Sequence, residues 1–225
     1  MEQFTRRDYA GEGITGPVPS TPWAWVQQWV DDARRAGRER ADVPEPDSLS
    51  VATVDPDGRP SVRTVLLRRL DPQGPGFFTN LHSRKGQALR AHPQAAATLT
   101  WPAIYRAIRF EGVAQELDRE EVRAYFDSRP WGSRVGAWAS EQSAPITDRG
   151  ELEARVAELE QRWPDRGQAD DVPLPDFWGG YLLHCDRVEL WAGRRSRLHD
   201  RVVWTRDSPG PLDEDGAWEH RLLQP

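Results

Sequence analysis

Trp23, Val26, Trp29 and Val30 recur at the spacing that gathers side chains on one face of a helix. Thr21 is placed to cap that helix, Pro22 suits its first turn, and Ala36-Gly37 marks its end. The pattern then changes period. Residues 49–54 alternate, Asp55-Pro-Asp-Gly58 carries turn chemistry, and residues 61–68 read as the returning strand. Arg63 and Arg68 are separated by an odd number of positions. A regular strand therefore sends them to opposite faces, unless a bulge or the strand end intervenes. A second turn, Asp71-Pro-Gln-Gly-Pro-Gly76, leads into the apolar residues 77–79, and Ser83 caps a short predicted helix reaching Arg90.

Residues 95–101 and 104–113 read as a further strand pair. Three helices follow. One is capped by Asp118 and carries Val122, Tyr125 and Phe126. One covers residues 135–140. One covers residues 149–163, with Asp148 as its cap and Leu152, Val156 and Leu159 on one side. Final strands begin near Tyr181, Arg201 and Trp218. Alternation of strand and helix is weak, and no glycine fingerprint follows the first strand. The expected fold is thus strand-rich α+β, a small barrel with peripheral helices rather than a doubly wound sheet. Residues 1–20, polar and rich in Gly and Pro, are expected to form a mobile arm, and residues 21–225 a single domain.

Composition narrows the function classes. With 37% hydrophobic and 29% charged residues the chain is globular rather than disordered. A formal charge of −6 lacks the basic balance that favours a nucleic-acid backbone, so no nucleic-acid partner is expected. Cys185 is the only cysteine, which excludes an intrachain disulfide; its apolar surroundings in sequence predict a buried structural thiol. No apolar run is long enough to span a bilayer and no signal-peptide core follows the first basic pair, so a cytoplasmic protein with no membrane partner is expected.

Two segments concentrate chemistry. The predicted helix start at Ser83-Arg-Lys-Gly combines free N–H groups, the helix dipole, Arg84 and Lys85, a credible phosphate site that lacks the P-loop spacing. Residues 188–201 join aromatic side chains, several arginines and a histidine. If residues 197–199 stay extended, Arg197 and His199 share a side and can hold an acidic or electron-rich ring. No H-E-x-x-H and no G-x-S-x-G is present, so no metal is expected and hydrolysis has little support.

The same stretches resemble the pyridoxine/pyridoxamine 5'-phosphate oxidase family, homodimeric FMN-binding split β-barrels. The likeness runs from Arg6-Arg-Asp-Tyr9 nearly to the C-terminus, through Arg63-Thr-Val-Leu-Leu-Arg68, Phe78-Thr-Asn-Leu-His-Ser-Arg-Lys85, Tyr125-Phe-Asp-Ser-Arg-Pro130, Gly136-Ala-Trp-Ala-Ser-Glu-Gln-Ser143, Phe177-Trp-Gly-Gly180 and Arg197-Leu-His-Asp-Arg201. It implies an oxidoreductase of pyridoxine biosynthesis that converts pyridoxamine or pyridoxine 5'-phosphate to pyridoxal 5'-phosphate, with O2 as acceptor and H2O2 as product. It implies FMN held by Arg63, Arg84 and Lys85 at the phosphate, by Val65, Leu66, Phe78 and Thr79 along the site, and by Gln142, Ser143, Trp191 and Arg201, in part from a second subunit. Arg68, Tyr125, Arg129 and Ser133 correspond to the substrate phosphate pocket. Arg197 and His199 correspond to the pair at the reacting carbon, and Arg6 and Tyr9 to the covering arm. The homodimer would share its active sites.

Some positions depart from the family pattern. Arg68 replaces the usual lysine, Phe78 a common tyrosine, and Ala107 a glutamine that contacts FMN; Leu190 and Ala192 differ around Trp191. These departures keep two alternatives in view. One is an FMN oxidase of another aromatic metabolite, similar to phenazine-pathway oxidases; the other is a noncatalytic flavin or pyridoxal-phosphate binding protein.

Overall fold

The computed structural model describes residues 9–225. Helix α1 (Trp23–Glu39) turns Val26, Trp29, Val30 and Ala33 inward, as the stripe predicts. Its first turn differs from the expectation. Pro22 occupies the cap position with helical angles and no side-chain cap bond forms, so Thr21 falls one residue outside the helix.

Among the described residues, nine strands form one antiparallel sheet: β1 (Ser48–Val54), β2 (Pro60–Leu66), β3 (Arg69–Asp71), β4 (Gly74–Asn80), β5 (Gln94–Trp101), β6 (Arg106–Glu116), β7 (Trp178–Ala192), β8 (Asp200–Gly210) and β9 (Glu219–Leu223). The order is β2-β1-β5-β6-β7-β4-β3, with β8 added to β7 and β9 to β8. Strands β2 and β4 stand five places apart in this order, yet residues 64–66 and 78–80 line one cleft. The sheet is therefore curled into a half-barrel. A bulge assists the curl: the β6–β7 register shifts at Glu111/Gly112, and Gly112 lies so close to the His184 carbonyl that a Cβ there has no room.

Strands β1, β5, β6 and β7 send Leu49, Val51, Leu99, Ile108, Phe110, Val188 and Leu190 into a core closed by α1. Cys185 is fully buried there and its thiol pKa is raised by burial, in line with a structural role. A second, smaller core joins α3 (Arg119–Ser128) and α4 (Trp131–Ala139) through Val122, Phe126, Val135 and Trp178, with α5 (Arg149–Arg162) packed outside through Val156 and Leu159. Asp148 caps α5 as expected, accepting from the Glu151 N–H. Asp118 stands at the start of α3 without a side-chain cap bond; that helix starts on the Val122 N–H to Asp118 carbonyl bond. Helix α4 begins four residues earlier than the pattern indicates, directly after Pro130. Helix α2 (Arg84–Ala91) is capped by Ser83, which accepts from the Gly86 N–H. Among the described residues, no helix is long and apolar enough to cross a membrane, and no group of His, Cys, Asp and Glu is arranged to hold a metal.

Candidate active site

The cleft between the half-barrel and the smaller core has a volume of about 470 Å³. Strand β2 and its end contribute Val65, Leu66 and Arg68, β4 contributes Phe78 and Thr79, and the helical side contributes Tyr125, Arg129, Ser133 and Gln142. Nine of the predicted site residues thus meet in one place, although they lie far apart in sequence. Strand β2 ends at Leu66, and the Arg68 N–H bonds the Gly76 carbonyl, so Arg68 escapes the strand alternation and reaches the cleft rim.

Phe78 stacks on Tyr125 with centroids 3.9 Å apart and planes 13° from parallel, and Trp178 lies nearly parallel to both. Gly180, opposite Phe78 in the β4–β7 pairing, leaves room for that ring: a Cβ there would press on Phe78 and on the Phe77 carbonyl. The guanidinium of Arg129 sits 4.9 Å over the Trp178 ring. Its Nη1 is buried without a hydrogen-bond partner, and burial lowers the pKa of the group. Arg129 lines the cleft, and a cationic group there with an unpartnered donor suits an anion bound beside it. Arg68 reaches Asp47 at 3.5 Å, and Asp47 is held at 2.9 Å by Arg34, so the Arg68 head is only loosely engaged.

Behind Thr79 and Gln142 of the cleft wall stands Lys85, buried at the first turn of α2. Its Nζ donates to Thr79 Oγ1 at 3.0 Å, to Ser83 Oγ at 3.3 Å and to Gln142 Oε1, all neutral acceptors. Burial first, and then the charge of Arg63, lower its pKa to about 8. Arg63 is half-buried on β2 and donates to the Val51 carbonyl, Thr53 Oγ1 and Ser61 Oγ, again neutral groups. Arg84 is held by buried Asp55, whose Oδ1 has no partner, while the Arg84 N–H donates to Ser143 Oγ at 3.2 Å. Ser143 adopts a left-handed φ of 77°, which aims its hydroxyl back at the helix start. A buried and a half-buried cation whose hydrogen-bond partners are all neutral, beside a helix N-terminus, fit a phosphate ester. The flat aromatic and aliphatic walls next to them fit a flavin ring, so the residues present suit FMN.

Trp191, Arg197, His199 and Arg201 line a different end of the sheet. Thr79 pairs with Gly179 at the start of β7, while Trp191 stands near its end, opposite Ala107 and Arg201. The twelve residue steps from Gly179 to Trp191 correspond to roughly 40 Å of contour at ~3.3 Å per residue. Trp191 and His199 lie with ring centroids 4.6 Å apart, and Tyr9 packs on both, at 6.0 and 5.4 Å. Arg201 is held by buried Glu189 through Nε at 2.8 Å and Nη2 at 3.0 Å. Arg6 lies outside the described residues.

The extended path on which a shared side for Arg197 and His199 depends is not found. Arg195–Arg197 form a single 3-10 turn, with Ser196 and Arg197 at φ 55° and 62°. Two non-glycine residues in the left-handed region reverse the chain, so strand alternation does not place Arg197 and His199 on one side. His199 Nδ1 accepts the Arg194 N–H at 3.1 Å, which puts the proton of the neutral ring on Nε2. Its pKa is lowered, first by burial and then by Arg197, against an opposing pull from Asp200.

Several lining residues were not singled out from sequence: Thr64, Asn80, Gly136, Ala137 and Ser140. Gly136 and Ser140 stand four apart at the end of α4, and a Cβ on Gly136 would meet open space. That small-residue spacing is the one signal available in the chain itself. The ion partners Asp47, Asp55 and Glu189 carried none.

Residues 37–163 match the family model described as pyridoxamine 5'-phosphate oxidase, and residues 178–225 match the pyridoxine 5'-phosphate oxidase C-terminal dimerisation region. A pyridoxine/pyridoxamine 5'-phosphate oxidase of Kineococcus radiotolerans is 47% identical over 91% of this chain and 90% of its own. One of Pseudomonas paraeruginosa is 44% identical over 98% and 96%. Among solved structures, PhzG of Burkholderia lata, in complex with tetrahydrophenazine-1-carboxylic acid, superposes with a TM-score of 0.82 at 28% identity, covering 96% of this chain and all of that one.

Proposed function

Since this chain belongs to the pyridoxine/pyridoxamine 5'-phosphate oxidase family and is an FMN-dependent oxidase of a B6 vitamer, we propose that it takes pyridoxamine 5'-phosphate and pyridoxine 5'-phosphate to pyridoxal 5'-phosphate. Pyridoxamine phosphate, O2 and water give the aldehyde, ammonia and H2O2; pyridoxine phosphate and O2 give the aldehyde and H2O2. The observation that carries the reading is the buried Nη1 of Arg129, without a hydrogen-bond partner, on a residue lining a cleft that also holds Arg68, Tyr125 and Ser133. That set suits a phosphate monoester, and a phenazine-type substrate offers it no such group.

FMN, when bound, supplies the two-electron acceptor and its reoxidation by O2. Lys85, Arg63 and the N-terminus of α2 hold its phosphate, with Arg84 and Ser143 at the rim. Val65, Leu66, Phe78, Thr79 and Gln142 line its ring and side chain. The protein is a homodimer through the region 178–225. In our reading the second subunit brings Trp191, Arg197, His199 and Arg201 over the cleft of the first, because a single chain keeps the two sets at opposite ends of β7. Arg197 and His199 then orient the pyridine ring, with the Nε2 proton of His199 available to a substrate acceptor, and Tyr9 excludes water.

The test is aerobic formation of pyridoxal 5'-phosphate by FMN-reconstituted protein, with unphosphorylated vitamers and a reduced phenazine carboxylate as parallel substrates. Turnover confined to the phosphorylated vitamers is expected. Turnover of the phenazine carboxylate alone, or none with FMN fully bound, overturns the reading.

A further inference from the structure

Residues 9–14 lie against the turn that precedes β8, and the contact has the marks of a made-to-fit seat. Asp200 Oδ2 accepts the backbone N–H of Ile14 at 2.8 Å across 186 positions of sequence. The same carboxylate is paired with Arg194 at 3.3 Å, and the Arg194 N–H is the group that holds His199 Nδ1. Glycine permits the approach on both sides. Gly13 has φ +79° and a Cβ there would collide with Asp200 Oδ2; a Cβ on Gly11 would collide with the Gly193 carbonyl; a Cβ on Gly193 would press on Tyr105. Backbone thus lies on backbone, and Tyr9, two residues before Gly11, is set against Trp191, His199 and Tyr105.

We propose that Asp200 is a positioning residue that docks the N-terminal segment by its Ile14 N–H and so holds Tyr9 over the Trp191–His199 pair. The carboxylate acts through the segment rather than on substrate. A charged acceptor is the stronger choice for a single backbone donor, and its bond to Arg194 fixes the direction from which Ile14 must approach. The kinetic consequence rests on the function proposed above; the docking itself does not.

The experiment uses the FMN-loaded dimer. Amide hydrogen exchange across residues 9–16 is measured in the parent, Asp200→Ala, Asp200→Asn and Gly13→Ala. Asp200→Ala should speed exchange at Ile14 by roughly tenfold or more, the loss expected for one charge-assisted bond. Asp200→Asn keeps an acceptor oxygen and should retain most of the protection. Gly13→Ala attacks the same contact from the other partner and should match Asp200→Ala. Kinetically, Asp200→Ala should raise KM for pyridoxamine 5'-phosphate several-fold while kcat changes less. In protein lacking residues 1–14, the same substitution should add nothing further. Unchanged exchange in both Asp200→Ala and Gly13→Ala overturns the proposal, as does an undiminished effect of Asp200→Ala in the shortened protein. Faster exchange in a protein that oxidises no vitamer would leave the docking standing and remove the proposed substrate instead.

Discussion

Lys85 Nζ lies 3.0 Å from Thr79 Oγ1, and each hydrogen-bond partner of this buried ammonium is neutral. The relationship has a thermodynamic sign. The folded protein releases the Lys85 proton at about pH 8, whereas an unfolded chain releases it at about 10.4. Between those values the unfolded state binds more protons, so the contribution of Lys85 to stability rises with pH across that window. Denaturant unfolding of the FMN-free protein and of Lys85→Met should show the parent gaining about 2–3 kcal/mol relative to the variant between pH 7 and pH 10. A pH-independent difference would mean that Lys85 is not held in this environment.

Phosphate binding reverses the preference, because a dianion next to Nζ favours the charged form. Affinity for FMN, followed by quenching of flavin fluorescence, should therefore weaken above about pH 8 as Lys85 deprotonates. Lys85→Met should bind FMN about 10- to 100-fold more weakly, as for loss of one charge-assisted hydrogen bond, and its affinity should lose that pH dependence. Equal affinity in parent and variant would remove Lys85 from the cofactor site.

Arg129 gives a prediction on the substrate side. Its buried Nη1 has no partner in the cleft, so a phosphate there gains a donor that is already desolvated. Arg129→Met should raise KM for pyridoxamine 5'-phosphate about 10- to 100-fold with a smaller change in kcat. Its FMN affinity should stay at the parent value. A loss of the same size with unphosphorylated pyridoxamine would show that Arg129 serves packing on Trp178 rather than the phosphate.

His199 should set the acid limb of the pH–rate profile. Burial and Arg197 both lower its pKa, so the neutral ring persists below the usual histidine range. If catalysis uses that neutral ring, activity falls only as the pH drops through the lowered value. Arg197→Gln removes one of the two lowering influences and should move the limb to higher pH, whatever it does to the plateau rate. A limb that stays in place in Arg197→Gln, or that survives in His199→Asn, assigns it to another group.

Much of this was legible in the chain. The stripe of α1, the turn at residues 55–58, the Ser83 cap and the alternation of β1 follow from short-range rules, and the structure keeps them. What local rules miss is of two kinds. The turn at Ser196 and Arg197 places ordinary side chains in a left-handed backbone, and no Gly or Asn announces it. The counter-ions are the second kind. Asp55 reads as a turn residue and Glu189 as a strand residue, yet each holds an arginine that the family pattern assigns to FMN. Those pairings follow from sheet register and helix docking, which no window of sequence contains.

The separation of the two residue sets makes the last prediction. Arg129 lies in the cleft between α3 and α4, and His199 beyond the far end of β7, so a site completed by the second subunit takes one from each chain. Arg129→Met and His199→Ala homodimers then carry two damaged sites each. When the two impaired proteins are unfolded together, refolded and assayed at substrate well below the parent KM, half of the dimers should be mixed. Each mixed dimer has one site with both defects and one with neither. Recovered activity should approach about a quarter of the parent value, a fraction set by the two-fold symmetry of the pair rather than by any rate constant. Mixing without refolding should recover nothing until subunits exchange. Zero recovery after refolding, with mixed dimers shown by mass, would place Arg129 and His199 in the same chain's site and would require β7 to bend far more than its pairing with β4, β6 and β8 allows.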